Sequence, residues 1–321
     1  MYYTDEAYAT MLLCAALTPD REEYARPLNE KEYAALVRKV RDGGVRSMAG
    51  LLNYDIGGLI RALAISEEEA YRLYILLHRD VELSYLLEKF YSKGIGLDTI
   101  ADSSYPNRLR MRLEETAPPL LYRGGKRDLL QTPMVALLGI SGVRTDNDMR
   151  FTVTELADML TQMGYTLLTG GEPGVSNVVR EYVEKHRAAK LVEIPGGGIL
   201  QRLNEPISHK LLEEERLLTL SCFHPEVLHT ASHAATRSKL LYALADACFI
   251  MNTDMQRGES DIMRRRLCDR VYAWAGYPEN LRMIGKGAIP FTRPDRAELD
   301  EMSRHWQSGG MQLSIFDESK E

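Results

Sequence analysis

A chain of 321 residues, 45% hydrophobic and 27% charged, has the composition of a folded protein and excludes fibrous repeats and wholesale disorder. One core would be stretched at this length, so two domains and a tail are expected. Forty Lys and Arg against 46 Asp and Glu give a net charge of −6, which excludes nucleic-acid binding by a uniformly basic surface and confines any such site to a local patch.

The N-terminus, Met1 to Glu6, has no basic leader region, and the apolar stretch Met11–Leu17 is far shorter than the roughly 20 residues of a membrane span. Residues 1 to about 95 read as helices, a small domain of SAM or helix-hairpin-helix type. Asp5 is placed to cap a helix whose apolar face is Tyr8, Met11, Leu12 and Ala15. Asn29-Glu30-Lys31-Glu32 and Ser66-Glu67-Glu68-Glu69 have the form of capping boxes, in which the first side chain and the fourth satisfy orphaned backbone donors. Leu36, Val37 and Val40 after one box, and Tyr71, Leu73, Leu76 and Leu77 after the other, are the expected core faces.

The pattern changes after Gly94. Ile95–Ile100 is a short strand, Tyr105-Pro106 a turn, and Ala117 to Gly124 extended, because a residue before proline is pushed away from helical angles. Met134–Gly139 is a continuous apolar run, as expected of a parallel strand buried on both faces. Helix Phe151–Met163, strand Tyr165–Thr169, helix Val178–His186 and strand Lys190–Ile194 follow, then helix Lys239–Ala245, strand Ala247–Met251, helix Ser260–Cys268 and strand Arg270–Trp274. Strand, glycine loop, helix, repeated, predicts an α/β Rossmann-like, doubly wound, mostly parallel sheet over residues 96–295, with ligands bound beyond the carboxyl ends of the strands.

Three of those loops carry glycines: Gly139-Ile140-Ser141-Gly142, Gly170-Gly171-Glu172-Pro173-Gly174 and Gly196-Gly197-Gly198. Two readings stand side by side: backbone that approaches a phosphate at a helix N-terminus, or tight left-handed turns between strand and helix. The G-x-G-x-x-G spacing is absent, which sets NAD and FAD aside, and no cofactor is expected. Cys14, Cys222, Cys248 and Cys268 form no C-x-x-C pair, and His224, His229 and His233 near Cys222 fit no common metal spacing. A reduced, cytoplasmic protein without a metal or a membrane partner follows. No Ser, His and acid pattern supports a catalytic constellation, and Glu172 is the one acid beside a glycine loop worth watching.

Tyr105-Pro106-Asn107-Arg108-Leu109 and Pro118-Pro119-Leu120-Leu121-Tyr122-Arg123-Gly124, followed by the Met134–Gly139 strand, the Thr169–Val175 loop, Thr236-Arg237-Ser238-Lys239-Leu240 up to Asp246-Ala247, and Asn280-Leu281 with Gly287-Ala288-Ile289-Pro290, resemble in order the motifs of the DNA-processing protein A (DprA, Smf) family. The likeness runs over about residues 66 to 291. It departs at Ser176, where the family usually has Asp, at Arg257-Gly258-Glu259-Ser260, which lacks the expected threonine, and at Lys239, where a guanidinium becomes a point charge.

The resemblance implies a single-stranded DNA binder that assists RecA loading in recombination or transformation, works as a homodimer and is no enzyme. The implied DNA-binding residues are Arg144, Gly170, Gly171, Gly174, Arg237 and Lys239, gripping phosphates without reading bases. Lys126, Arg127 and the run Arg264-Arg265-Arg266 could extend that track or be solvated charge. The alternative is a Rossmann-like protein that senses or cleaves a nucleotide. Residues 296–321 read as a helix, Ala297–Trp306, and a flexible Gly-Gly joint before Gln312-Leu313-Ser314-Ile315-Phe316. That pentapeptide resembles the short motif with which bacterial proteins bind the DNA polymerase sliding clamp, Gln312, Leu313, Ile315 and Phe316 being the anchors. A tail folding back through Leu313 and Phe316 is the competing reading.

Overall fold

The computed structural model describes residues 3–19, 23–140, 145–171, 173–230, 233–253, 267–268, 270–293, 296–301 and 303–304. Its helices in chain order are α1 (Asp5–Cys14), α2 (Glu30–Asp42), α3 (Ile56–Leu63), α4 (Glu67–Leu77), α5 (Asp80–Ser92), α6 (Asn107–Leu113), α7 (Asn147–Gln162), α8 (Val175–Lys185), α9 (Leu200–Leu203), α10 (Pro206–Glu213), α11 (Ala234–Leu244) and α12 (Leu281–Ile284). The strands are β1 (Ile95–Thr99), β2 (Leu120–Gly125), β3 (Met134–Leu138), β4 (Thr166–Thr169), β5 (Leu191–Glu193), β6 (Leu217–Ser221), β7 (Ala247–Ile250), β8 (Val271–Trp274) and β9 (Ile289–Phe291). Packing divides the chain into two compact units: residues 1–127 with 197–209 and 218–230, and residues 128–196 with 210–217 and 231–321.

In the first unit α1 to α5 bury Leu13, Leu36, Leu51, Leu59, Leu73 and Leu76 in one core. The Asn29–Glu32 capping box is complete, and Ser66 Oγ accepts from the Glu69 N–H at 3.2 Å. Asp5 is not the cap of α1. Thr4 is, in extended geometry with its Oγ1 accepting from the Ala7 N–H at 3.1 Å, and Asp5 is the first helical residue. Val37 and Tyr71 do not join the core but are 40% and 48% exposed. Val37 lies about 100° round α2 from Leu36, and Tyr71 about 200° round α4 from Leu73, which turns both off the buried stripe. Arg79 closes the end of α1 by donating to the carbonyls of Leu12 (2.9 Å) and Ala15 (2.6 Å) while pairing with Glu23 (2.7 Å). After these helices β1 pairs antiparallel with β2 and β2 antiparallel with β6. The Tyr105 hydroxyl, on a side chain 1% exposed, donates to the Pro118 carbonyl at 2.8 Å and so fastens the Tyr105–Leu109 motif to the Pro118–Gly124 motif.

In the second unit six parallel strands run in the order β5-β4-β3-β7-β8-β9. Every residue of β3 and β7 is buried, which explains the unbroken apolar runs. Asp246 staples their amino ends: its Oδ2 accepts from the Met134 N–H and its own N–H donates to the Met134 carbonyl, both at 2.8 Å. Asn280 does the same at the other end, donating Nδ2 to the carbonyls of Met251 (3.0 Å) and Trp274 (2.8 Å). Helices α7, α8 and α11 each begin about one turn before the residue that periodicity indicates, because polar first turns carry no apolar signal. Asp146 caps α7, with its Oδ1 accepting from the Met149 N–H at 2.8 Å, and Gly174 caps α8 at φ +116°.

From β3 the chain winds outward through β4 to β5 and later returns beside β3 to wind the other way through β7, β8 and β9. The reversal between β3 and β7 is a topological switch point, where an open α/β sheet leaves a crevice at the carboxyl ends of its strands. This is the α/β doubly wound architecture behind a helical N-terminal segment that the sequence predicts. The expected helix Ser260–Cys268 lies outside the described residues apart from Leu267 and Cys268, and residues 296–301 are helical. Among the described residues no helix is long and apolar enough to cross a membrane.

Candidate functional site

A cavity of about 40 Å³ opens at that switch point, between the ends of β3, β4 and β7 and the first turns of α8 and α11. Leu138 and Gly139 line it from β3, Gly170 from β4, Ser176 from α8, Arg237 and Ser238 from α11, and Asn252 from the end of β7. Among the described lining residues Arg237 is the one cation and none is a carboxylate. It packs over Gly170: a Cβ on that glycine would lie 3.5 Å from its Nη1. The eleven-residue α8 brings its N-terminus here with no acidic residue in its first turn and no side-chain cap, so its leading N–H groups keep their partial positive charge.

The polar groups of the cavity are not equivalent. Thr169 Oγ1 donates to the Leu137 carbonyl at 3.2 Å and meets Ser176 Oγ at 2.7 Å. With the threonine proton committed to the carbonyl, the serine proton goes to Thr169, and Ser176 presents lone pairs rather than a donor to the cavity. Asn252, 1% exposed, accepts the Ile140 N–H on its Oδ1 at 2.9 Å and so pins the loop that leaves β3. Gly139 is required by this approach, since a Cβ there would stand 2.3 Å from Asn252 Oδ1 and 2.5 Å from Val175 Cγ2.

The structure gathers some of the residues expected from sequence and leaves others apart. Gly139, Gly170 and Arg237 meet around the cavity. Gly171 and Gly174 take positive φ, +73° and +116°, so the tight-turn reading accounts for both, and Gly174 also begins α8. Lys239 is half-buried and not among the lining residues; it follows Arg237 by two positions, about 200° round α11. Lys239, the expected first residue of this helix, is its sixth, since α11 begins at Ala234.

The third glycine loop has a different reason to exist, within the first unit. A Cβ on Gly198 would lie 2.2 Å from the Pro225 carbonyl oxygen, and one on Gly197 2.8 Å from the His229 nitrogen. These glycines admit a close backbone crossing and line no part of the cavity. Arg127 pairs with Asp98, as does Arg123 at 2.8 Å, so its charge serves the first unit's own fold. Arg144, Glu172, Arg264 to Arg266 and the tail anchors Gln312, Leu313, Ile315 and Phe316 lie outside the described residues. No group of acids, histidines and cysteines able to hold a metal is found among the described residues. Asn252 is the residue that sequence reasoning missed: an asparagine after an apolar strand looks like ordinary turn chemistry.

The family model for DNA recombination-mediator protein A matches residues 97–267. Among solved structures, DNA processing protein A (DprA) from Streptococcus pneumoniae is similar over 94% of this chain and 98% of its own, with a TM-score of 0.66 at 18% identity. DNA processing protein A from Helicobacter pylori, described for its single-stranded DNA binding mode, matches over 62% of this chain and 92% of its own, with a TM-score of 0.49 at 21% identity. A molybdenum cofactor binding protein from Rippkaea orientalis matches over 54% of this chain and 96% of its own, with a TM-score of 0.37 at 11% identity. The first of these likenesses extends the shared fold across nearly the whole chain. The comparison with curated proteins gave no match.

Proposed function

This chain belongs to the DNA recombination-mediator protein A family, a family of DNA processing in recombination, and from that premise we propose that it holds single-stranded DNA by the backbone at the cavity under Arg237. One observation carries the reading: a cavity at the switch point of the sheet whose described lining holds a guanidinium, an unspent amide donor and no carboxylate. Such a site attracts phosphate and is indifferent to base identity. Its volume of about 40 Å³ suits one phosphoryl group. Pockets that enclose a whole small-molecule ligand run to about 300–1,000 Å³, which weighs against a site for a complete nucleotide. In this reading Arg144 joins Arg237 on the strand, with Gly170, Gly171 and Gly174 bringing the backbone of the second loop and of α8 close to it, and Lys239 contributes at longer range.

The wider role extends the proposal. The protein works in the bacterial cytoplasm, as a homodimer, and passes its strand to RecA in recombination or transformation. Gln312, Leu313, Ile315 and Phe316 dock on the sliding clamp as a short peptide that orders on binding. Competition tests the core of this reading. A labelled oligo-dT should be displaced by unlabelled single strand, far less by duplex, and not by ATP or another mononucleotide. Displacement by a mononucleotide would replace it with a nucleotide-sensing or nucleotide-cleaving protein. Pull-down of purified clamp should be lost in Leu313→Ala/Phe316→Ala without a change in oligo-dT affinity; retention of clamp binding would refute the tail assignment.

A further inference from the structure

We infer that Asn252 is itself a phosphate ligand: its Nδ2 donates to an oxygen of a single phosphoryl group seated in the cavity beside Arg237. The inference rests on the backbone-holding reading above and names the group that reading leaves undefined. The amide has one possible orientation. Oδ1 must face the Ile140 N–H, because only the oxygen can accept that hydrogen bond at 2.9 Å. The same oxygen lies 2.3 Å from where a Gly139 Cβ would stand, so the absence of a side chain at 139 is what admits it. Nδ2 is thereby left fully enclosed, on a side chain 1% exposed, and it has no hydrogen-bond partner among the described residues.

A buried N–H with no acceptor is costly, and native structures rarely keep one without a reason. Here the reason is adjacent: Asn252 lines the same cavity as Arg237, and none of the described lining residues is a carboxylate that could accept. The Ser176 hydroxyl across the cavity is already spent on Thr169, and the Asn252 amide is the buried lining group that an incoming anion would satisfy. The space of about 40 Å³ exceeds the roughly 10–15 Å³ that one water requires and falls far short of a nucleoside. A tetrahedral oxyanion fits both the size and the donors. A neutral amide serves where an aspartate of the same shape would repel the ligand, which explains why an asparagine holds the loop.

The phosphoryl group could be a phosphodiester within a strand or free phosphate, and the test separates them. Affinity of the full chain for labelled oligo-dT is measured for the wild type, Asn252→Asp and Arg237→Ala. The side-chain amide resonance of Asn252 in the wild type is followed as inorganic phosphate is added. Asn252→Asp keeps an oxygen for Ile140 and replaces the donor with a charge, so it should lose about tenfold or more in oligo-dT affinity while its circular dichroism stays near wild type, with a lowered melting temperature from the buried charge. Phosphate should shift the Asn252 amide and compete with oligo-dT.

If Asn252→Asp fails to fold, the wild-type resonance alone decides the matter. An amide that ignores both phosphate and oligo-dT, or exchanges only with a trapped water, overturns the inference. Undiminished oligo-dT binding by Asn252→Asp also overturns it, while leaving the proposed function intact. A phosphate-dependent shift in a protein that binds no single strand upholds the phosphate site and refutes the DNA reading instead.

Discussion

Replacing His224 with phenylalanine should remove most of the mild-acid sensitivity of the first unit. The ring is 5% exposed and packs edge-on against Phe90 at 5.2 Å and Tyr122 at 6.4 Å between centroids. Burial pulls its pKa down to about 4; Glu226 opposes the shift, and Lys89 and Lys93 add to it. An unfolded chain takes up this proton near pH 6.5, whereas the folded chain refuses it until about pH 4. Across that window the unfolded state binds more protons, so stability falls as the pH falls. Between pH 7 and 4.5 the loss from this one ring amounts to about 2–3 kcal/mol.

Glu226, held down to about 2 by hydrogen bonds from Lys89 and Lys93, contributes stability that is lost only below its unfolded pKa near 4.5, so the two windows are separable. Phenylalanine forfeits only the 3.3 Å bond from the Glu226 N–H to Nδ1, and it relieves a buried Nε2 that has no hydrogen-bond partner among the described residues. The assay is hydrogen exchange of the β1 and β2 amides at pH 7 and 4.5, converted to opening free energies for both proteins. The wild type should lose about 2–3 kcal/mol more than His224→Phe over this range. Equal losses would refute the reasoning, because a ring that titrates at its ordinary pKa carries no linkage.

Three further substitutions probe the frame around the cavity. Gly139→Ala forces a Cβ to 2.3 Å from Asn252 Oδ1, so melting should report about 1–3 kcal/mol of destabilisation together with weakened oligo-dT binding. Tyr105→Phe deletes the buried bond to the Pro118 carbonyl and should cost about 1–3 kcal/mol in chemical denaturation with oligo-dT affinity unchanged. A loss of DNA binding there would contradict the structural role given to Tyr105. Glu193→Ala strips the fully buried carboxylate that Arg180 contacts at 2.9 and 3.0 Å. Leaving that guanidinium buried should cost about 3–5 kcal/mol, seen as an earlier denaturation transition of Trp274 fluorescence in the second unit.

How much of this was legible beforehand follows from where each signal resides. Met134–Leu138 and Ala247–Ile250 are readable because a parallel strand covered on both faces is apolar at every position. The starts of α7, α8 and α11 are not, because Asn147-Asp148, Ser176-Asn177 and Thr236-Arg237 contribute nothing to apolar periodicity. Strand β6 escapes notice for a different reason: it pairs antiparallel with β2, nearly a hundred residues earlier, and such pairing leaves no local trace.

Among the motif residues, Tyr105, Asp246 and Asn280 are fasteners of the backbone, and only geometry separates them from Arg237, which faces the cavity. The glycines divide in the same way. Gly139 makes room for Asn252, Gly174 turns the chain into α8, and Gly198 admits a backbone crossing, three physical demands with one identical letter. Asn252 could not be found from the sequence at all, since what marks it is the pairing of one amide atom with Ile140 and the burial of the other.

The central claim, that the second unit grips single-stranded DNA through its phosphates at Arg237, is tested most directly by anisotropy of labelled oligo-dT at about 50 and about 200 mM salt, for the wild type and Arg237→Ala. The account predicts wild-type binding that weakens steeply with salt. It predicts that Arg237→Ala loses about tenfold in affinity and lowers the log–log salt slope by about 0.7, the share of one phosphate contact on a single strand. A wild type that binds no strand at the lower salt, or an Arg237→Ala variant with unchanged affinity and slope, would contradict it.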